Sequence, residues 1–276
     1  MKQETGYFSS FDGTKLFYRA WEQEGPNALL ILHGMGEHSG RYQEAVEGLS
    51  ELALSFYSYD ARGHGRSEGD RMYINQFEDL VSDALSFRQW IEGRSTERRH
   101  FILMGQSLGG LVATCLALKH QSDWRALILL SPFFGATYAH PIYFWLTRFL
   151  NLIYPKLIWK NPIKPVFLSH DQKEVSLYKQ DPLIQRRITS RMAHEMFKGC
   201  GETRCLGKEL SLPLLLLAGG EDHIVSVEES KRFFESVGSS PKEMKIFPRC
   251  YHELLHEHER AEAIQMIKDF LRPHLV

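Results

Sequence analysis

Ser107 stands at the centre of the pentapeptide Gly105-Gln106-Ser107-Leu108-Gly109. An apolar run, Phe101 to Met104, precedes it, and a helix-like stretch, Leu111 to His120, follows it. This is the strand–sharp turn–helix setting in which the serine of G-x-S-x-G acts as a nucleophile. The strained turn projects the hydroxyl from the strand end, the flanking glycines leave room for the turn, and the helix N-terminus favours developing negative charge. The pentapeptide alone also fits a packing turn of an ordinary α/β protein, so its partners must be sought elsewhere in the chain.

A serine hydroxyl needs a base, and the base needs an acid to orient it. With this kind of elbow the order along the chain is nucleophile, acid, base. After the apolar run Leu212 to Ala218 comes Gly219-Gly220-Glu221-Asp222-His223, and Asp222 is the expected acid, ahead of its neighbour Glu221. After a later run, Met244 to Phe247, comes Arg249-Cys250-Tyr251-His252-Glu253-Leu254. Position selects His252 as the base from 13 histidines; His33, His38 and His64 also follow apolar runs, but upstream of the serine.

The oxyanion formed by attack on a carbonyl needs two backbone donors. The amide of Leu108, directly after the nucleophile, is one. The loop His33-Gly34-Met35-Gly36-Glu37-His38-Ser39-Gly40 offers the amide of Met35 as the other. That loop lacks the Lys-Ser/Thr ending of a phosphate loop.

A rival pattern overlaps the base. His252-Glu253-Leu254-Leu255-His256 matches H-E-x-x-H, in which two histidines one helical turn apart bind zinc. A catalytic zinc needs a third protein ligand, and only His258 and Glu262 follow. The serine constellation already accounts for His252, so the chemistry is expected to need neither metal nor cofactor.

These residues require a frame. Tyr7 to Phe11, Asp12-Gly13 and Lys15 to Arg19 read as a β-hairpin. Short apolar runs at Ala28–Leu32, Ala53–Tyr59, Phe101–Met104, Ala126–Leu130, Leu212–Ala218 and Met244–Phe247 read as buried parallel strands. Helical patterns lie between them, at Tyr42–Leu52, Phe77–Ile91, Leu111–Lys119, Val227–Val237 and Ala261–Leu271; in the last, Ala263, Ile264, Ile267, Phe270 and Leu271 share one face. Such alternation predicts a doubly wound α/β sheet with its site at the carboxyl ends of the strands. No strand is evident between Ser131 and Leu212. That interval reads as a helical cap over Ser107, dividing the chain into a first core part (1–133), the cap (134–191) and a second core part (192–276).

Bulk properties narrow the class. The 276 residues are 43% hydrophobic and 24% charged, the balance of a globular chain. Thirty-three Lys and Arg against 34 Asp and Glu leave a net charge of -1, which argues against a nucleic-acid partner. The four cysteines are scattered and read as free thiols of a reducing compartment, and the polar N-terminus does not read as a secretory signal. A cytoplasmic location, peripheral to membrane if the cap touches lipid, is the expectation. Oligomeric state is not legible.

The assembled motifs resemble those of the monoacylglycerol lipase and lysophospholipase-like family of α/β-hydrolases. His33-Gly-Met-Gly-Glu-His-Ser-Gly-Arg41-Tyr42 resembles its oxyanion loop, and Asp60-Ala-Arg-Gly-His-Gly-Arg-Ser67-Glu-Gly69 its next strand-end motif. Gly105 to Gly110 and His252 to Leu255 resemble its nucleophile and histidine motifs; Ser169-His-Asp and Asp181-Pro-Leu183 resemble a stretch of its cap. The family pattern usually carries Asn where His256 stands. The likeness covers nearly the whole chain. It implies an α/β-hydrolase fold with a mostly parallel central sheet, an N-terminal antiparallel hairpin and an inserted helical cap. It also implies the triad Ser107, Asp222 and His252, an oxyanion hole at Met35 and Leu108, and a lipid-like ester as substrate. A short-chain carboxylesterase or thioesterase with the same triad is the alternative within hydrolases. A zinc peptidase and a non-catalytic lipid-binding protein lie further off. Asp60 and Arg62 read as braces for the loops beneath the site.

Pro141 to Trp159 is densely apolar and aromatic. Tyr143, Trp145, Leu146 and Phe149 are the candidate substrate contacts. Two readings stand side by side: these side chains line an acyl channel, or some face outward and touch a membrane or micelle. Pro155 and Lys156 interrupt the run before the length of a spanning helix.

Overall fold

The computed structural model of the chain describes residues 1–95, 97–137, 141–161 and 163–276, with the backbone alone for 141–144. Tyr143 therefore lies outside the described side chains. The chain opens with an antiparallel hairpin, β1 (Lys2–Ser9) and β2 (Lys15–Glu22), turned at Asp12-Gly13 and registered with Tyr7 opposite Phe17. It continues through β3 (Asn27–Leu32), α1 (Gln43–Gly48), β4 (Ser55–Tyr59), α2 (Glu78–Arg94), β5 (His100–Gln106), α3 (Leu108–Lys119) and β6 (Trp124–Leu130). An inserted segment holds α4 (Pro141–Ile153), β7 (Ile158–Lys160), α5 (Gln172–Gln180), β8 (Arg187–Thr189) and α6 (Ser190–Arg204). The chain closes with β9 (Leu214–Gly219), α7 (Val227–Ser236), β10 (Lys242–Phe247) and α8 (Arg260–Leu271).

Eight strands form one sheet in the order β1-β2-β4-β3-β5-β6-β9-β10. Strands from β4 to β10 run parallel, and only the hairpin end is antiparallel. The mostly parallel sheet with its N-terminal hairpin is the architecture expected from the sequence. The continuous apolar runs have a simple cause: β3, β4 and β9 are buried at every position. Alternate residues then serve opposite faces. Leu30, Leu103, Leu127 and Leu216 join α2 and α3 on one side; Leu29, Ile102, Ile128 and Leu215 join α1 and α8 on the other. The predicted stripe of α8 is part of that second core: Ala263, Ile267, Phe270 and Leu271 are buried, and Ile264 packs against them.

The inserted segment contains two strands that sequence patterning does not reveal. β7 and β8 pair antiparallel over three residues each, with Trp159 opposite Ile188. Three residues are too few for an alternation to register as a strand. The expected domain boundary between residues 191 and 192 falls inside α6, whose Met192, Met196 and Cys200 join the main core.

Candidate active site

Ser107 occupies the single residue between β5 and α3, at φ 53° and ψ −118°. A residue with a Cβ holds such a backbone only under strain. The surroundings over-determine it. The Ser107 amide donates to the Leu130 carbonyl (3.0 Å), and its carbonyl accepts from the amides of Leu111 (3.1 Å) and Phe133 (3.0 Å). The two flanking glycines are required by close approach. A Cβ on Gly105 would come within 2.3 Å of the Gly109 oxygen, and one on Gly109 within 2.1 Å of the Leu32 oxygen.

His252 lies on the loop that follows β10, and Asp222 on the loop that follows β9. The Nδ1 of His252 is 2.7 Å from Oδ2 of Asp222, and both side chains are buried. The other carboxylate oxygen accepts the amides of Ile224 (2.7 Å) and Val225 (2.9 Å), so the acid is aimed before it meets the histidine. Glu221, the rejected neighbour, is half exposed and faces His170 at 3.8 Å. Gln106, directly before Ser107, donates from its side chain to the His252 carbonyl (3.1 Å) and ties the elbow to the histidine loop. Sequence reasoning missed that role, because nothing local marks a glutamine as a strut between loops. Burial pulls the His252 imidazole down, but the Asp222 carboxylate, with Glu253 and Glu37 adding to it, raises it above its ordinary value.

The Met35 loop begins at the end of β3. His33 accepts the Ala61 amide at Nε2 (2.9 Å). The amide and hydroxyl of Ser39 donate to Asp60 at 2.8 and 2.6 Å. Asp60 thus braces the loop from below, and its second oxygen takes the Arg66 amide (2.8 Å). Arg62 is held by Asp83 through two bonds, 2.7 and 2.6 Å, and by Asp12 at 3.0 Å.

A cavity of about 450 Å³ lies between this loop and the inserted segment. Met35 and Ile224 line it on the core side; Leu146, Phe167, Ile188 and Met196 line it opposite. Of the candidate substrate contacts, Leu146 reaches it. Trp145 and Phe149 do not line it: they are 61% and 59% exposed on the outward face of α4, together with Leu152 at 82%. Helical spacing explains the split. Residues 145, 149 and 152 form one stripe, while Thr147, buried at 4%, points the other way.

Comparison with known proteins places this geometry. The model of the family described as serine aminopeptidase, S33, matches residues 23–259. The chain belongs to this family of α/β-hydrolases. Human monoglyceride lipase is 32% identical over 257 residues, 91% of this chain and 84% of that protein. Monoacylglycerol lipase of Mycolicibacterium smegmatis is 26% identical, with 97% and 96% covered. The crystal structure of Paleococcus ferrophilus monoacylglycerol lipase superposes with a TM-score of 0.86 at 27% identity, covering 94% of this chain and 99% of that one. An uncharacterized protein of Escherichia coli is 28% identical over 269 residues, but this chain spans only 46% of its length. The protein is a hydrolase of the lipase type related to monoglyceride lipases.

The hydrolase does not present H-E-x-x-H as a zinc motif. His252 sits before a short 3-10 turn, Leu254–His256, so its ring and that of His256 are not one α-helical turn apart. The motif's glutamate is engaged: Arg41 grips Glu253 with two bonds, 2.9 and 2.7 Å, and His256 lies 3.3 Å away. Among the described residues no group of three or more His, Cys, Asp or Glu is disposed to hold a metal ion. Glu37 faces the same arginine at 3.5 Å. Burial, then the neighbouring Glu253 carboxylate, pushes Glu37 up to about 7. Against its own burial, Arg41 holds Glu253 well below the usual carboxylate range.

Proposed function

We propose that this hydrolase cleaves fatty acyl esters, monoacylglycerols or lysophospholipids, through a serine acyl-enzyme. One observation carries the reading: the buried 2.7 Å pair of His252 and Asp222 is tied by Gln106 to the strained elbow that presents Ser107. His252 takes the hydroxyl proton as Ser107 Oγ attacks the ester carbonyl. The amides of Met35 and Leu108 stabilise the oxyanion, and Asp222 stabilises the imidazolium. The tetrahedral species collapses, the alcohol leaves with the proton from His252, and the acyl group remains on Ser107. Water, deprotonated by His252, then releases the fatty acid and restores the serine. No step calls for a metal or cofactor. The cavity roofed by Leu146 and lined largely by apolar side chains supports an acyl chain as the bound group. The names of the monoglyceride and monoacylglycerol lipase relatives support the monoacylglycerol class of ester.

The outward stripe of Trp145, Phe149 and Leu152 supports transient contact of the inserted segment with a membrane or micelle carrying the substrate. No described helix is long and apolar enough to cross a membrane.

The test is reaction with a fluorophosphonate, mapping of the adduct by mass spectrometry, and hydrolysis of p-nitrophenyl esters and monoacylglycerols of graded chain length. The expected result is labelling at Ser107 and rates that rise toward long acyl chains. A folded protein left unlabelled sinks the serine mechanism. Rates that fall steadily beyond short chains sink the lipid assignment and favour the short-chain esterase.

A further inference from the structure

The Met35 loop is bracketed from two sides. The core holds it through Asp60 and through the His33–Ala61 bond. From the other side it is gripped by the inserted segment, at the turn between α5 and β8. The Gln185 amide donates to the Gly36 carbonyl at 2.8 Å. Gly36 has φ +81°, and a Cβ there would meet the Gln185 oxygen at 2.7 Å, so the two backbones touch. Two residues on, His38 Nε2 is 2.8 Å from Asp181 Oδ2. The direction of that bond follows from its surroundings. His38 Nδ1 accepts the Gly40 amide (3.1 Å), so the proton sits on Nε2 and is donated to Asp181. Asp181 is aimed in its turn, because its Oδ1 accepts the Leu183 amide at 2.8 Å. A third contact completes the grip: the Arg41 guanidinium lies over the Tyr178 ring of α5 at 4.8 Å.

Met35 lies between the His33 bond to the core and the Gly36 contact with the inserted segment. Its amide can point at a substrate oxygen only if the turn from Gly34 to His38 keeps its shape, and that turn is closed by the Glu37 amide on the Gly34 carbonyl (3.3 Å). Donors to a developing oxyanion must be preorganised, and a displacement of about 1 Å costs on the order of 10²-fold in rate.

We infer that Asp181 and Gln185 of the inserted segment are positioning residues for the reaction: they latch the Met35 loop and hold its amide in donor geometry. The segment that roofs the pocket thereby also sets the oxyanion hole, so the seating of the cap and the rate of the chemical step are one variable. The inference rests on the oxyanion role proposed above for Met35. Neither Asp181 nor Gln185 needs to touch the reacting atoms.

The variant is Asp181→Asn, which keeps the shape but cannot accept from both His38 and Leu183. Asp181→Ala is the second variant, in case the amide finds a substitute bond. Amide hydrogen exchange reads the latch without reference to catalysis: residues 34–38 exchange at least about tenfold faster in the variant, with β5 and β9 unchanged. Kinetics reads the consequence. With molecules counted by fluorophosphonate titration, kcat per titrated site for a soluble ester falls about tenfold and KM stays within twofold. Binding of a trifluoromethyl ketone, which forms a tetrahedral oxyanion adduct, weakens in step with kcat/KM. Unaltered exchange across 34–38 in both variants overturns the latch. Faster exchange with full kcat per site, or a loss confined to KM, overturns the positioning role. Failure of the wild-type protein to label at Ser107 is a separate outcome: it defeats the serine reading while the exchange measurement still decides the latch.

Discussion

His252 and Asp222 face each other at 2.7 Å from loops that are 30 residues apart, with both side chains buried and the far oxygen of the acid held by two amides. A histidine so paired is kept in one orientation, with Nδ1–H toward the acid and Nε2 free to take a proton. Replacing Asp222 by Asn removes the charge and allows the wrong tautomer. The expected cost in kcat is about 10³- to 10⁴-fold, with the fold retained by circular dichroism.

The same pair sets the pH profile. The base must be neutral, and Asp222 holds His252 above its ordinary value against the opposing pull of burial. The activity of the wild-type hydrolase is therefore expected to rise with pH through a midpoint above about 6.5. In Asp222→Asn the residual activity has its midpoint shifted down, because burial is left without its largest compensating charge. A pH–rate profile of kcat/KM checks this; a midpoint at or below that of an unperturbed histidine in the wild type counts against it. Because the folded state binds the His252 proton more tightly, its stabilising contribution is full below about pH 6.5 and is lost as pH rises through the higher folded value.

Ser107→Ala is expected to lower kcat by at least about 10⁴-fold, to abolish fluorophosphonate labelling and to leave stability nearly unchanged, since the new side chain inherits the same backbone conformation. Gly109→Ala tests the elbow instead. Its Cβ would meet the Leu32 carbonyl oxygen at 2.1 Å, backbone that cannot turn aside. Loss of roughly 3 kcal/mol or more of stability in urea unfolding is expected, with loss of activity.

Glu37 and Glu253 share Arg41 unequally. Arg41 grips Glu253 with two short bonds, while Glu37 stands 3.5 Å away and is raised to about 7. Glu253→Gln leaves a buried guanidinium without its main partner and is expected to cost about 3 kcal/mol. Glu37→Gln mimics the protonated acid and is expected to cost about 1 kcal/mol or less below pH 7. Denaturant unfolding of the two variants at pH 6 compares them directly; equal costs would count against the assignment.

Leu152 is 82% exposed at the end of the outward stripe of α4. Leu152→Glu is expected to leave hydrolysis of a soluble short-chain ester within twofold and to lower binding to phosphatidylcholine vesicles about tenfold, measured by co-sedimentation. Unchanged sedimentation would remove the case for lipid contact through this face.

Local pattern carried much of this protein. The elbow was legible because strand, turn and helix are contiguous around Ser107, and because two glycines at fixed offsets mark a turn that no Cβ can enter. The sheet was legible because continuous burial leaves uninterrupted apolar runs such as Leu214–Gly219. The order serine, acid, histidine follows from chain position, which suits Asp222 and Glu221 equally; a tight loop turns Glu221 elsewhere, and His252 bonds to Asp222.

What escaped the sequence depends on contacts between distant segments. Arg41 and Glu253 are 212 residues apart, Gln106 and His252 are 146 apart, and His38 and Asp181 are 143 apart, so no local spacing records them. The strands β7 and β8 are three residues long and exist only because they pair with each other. The facing of α4 is the clearest case. Its polar residues, Thr147, Arg148 and Asn151, share one arc of the helix, so periodicity alone would turn that arc outward, yet Thr147 is buried. Packing decided it: Leu146, itself 43% exposed, reaches the rim of the cavity, while Trp145, Phe149 and Leu152 stay at the surface away from it. The sequence by itself determined the sheet, the elbow and the residue types available for chemistry, because those rest on short-range sterics and on burial repeated along a strand. Tertiary structure alone decided which side chains meet across the site, how the inserted segment grips the Met35 loop and which face of α4 looks outward. Those are fixed by long-range packing, to which a pattern of residue types along the chain is blind.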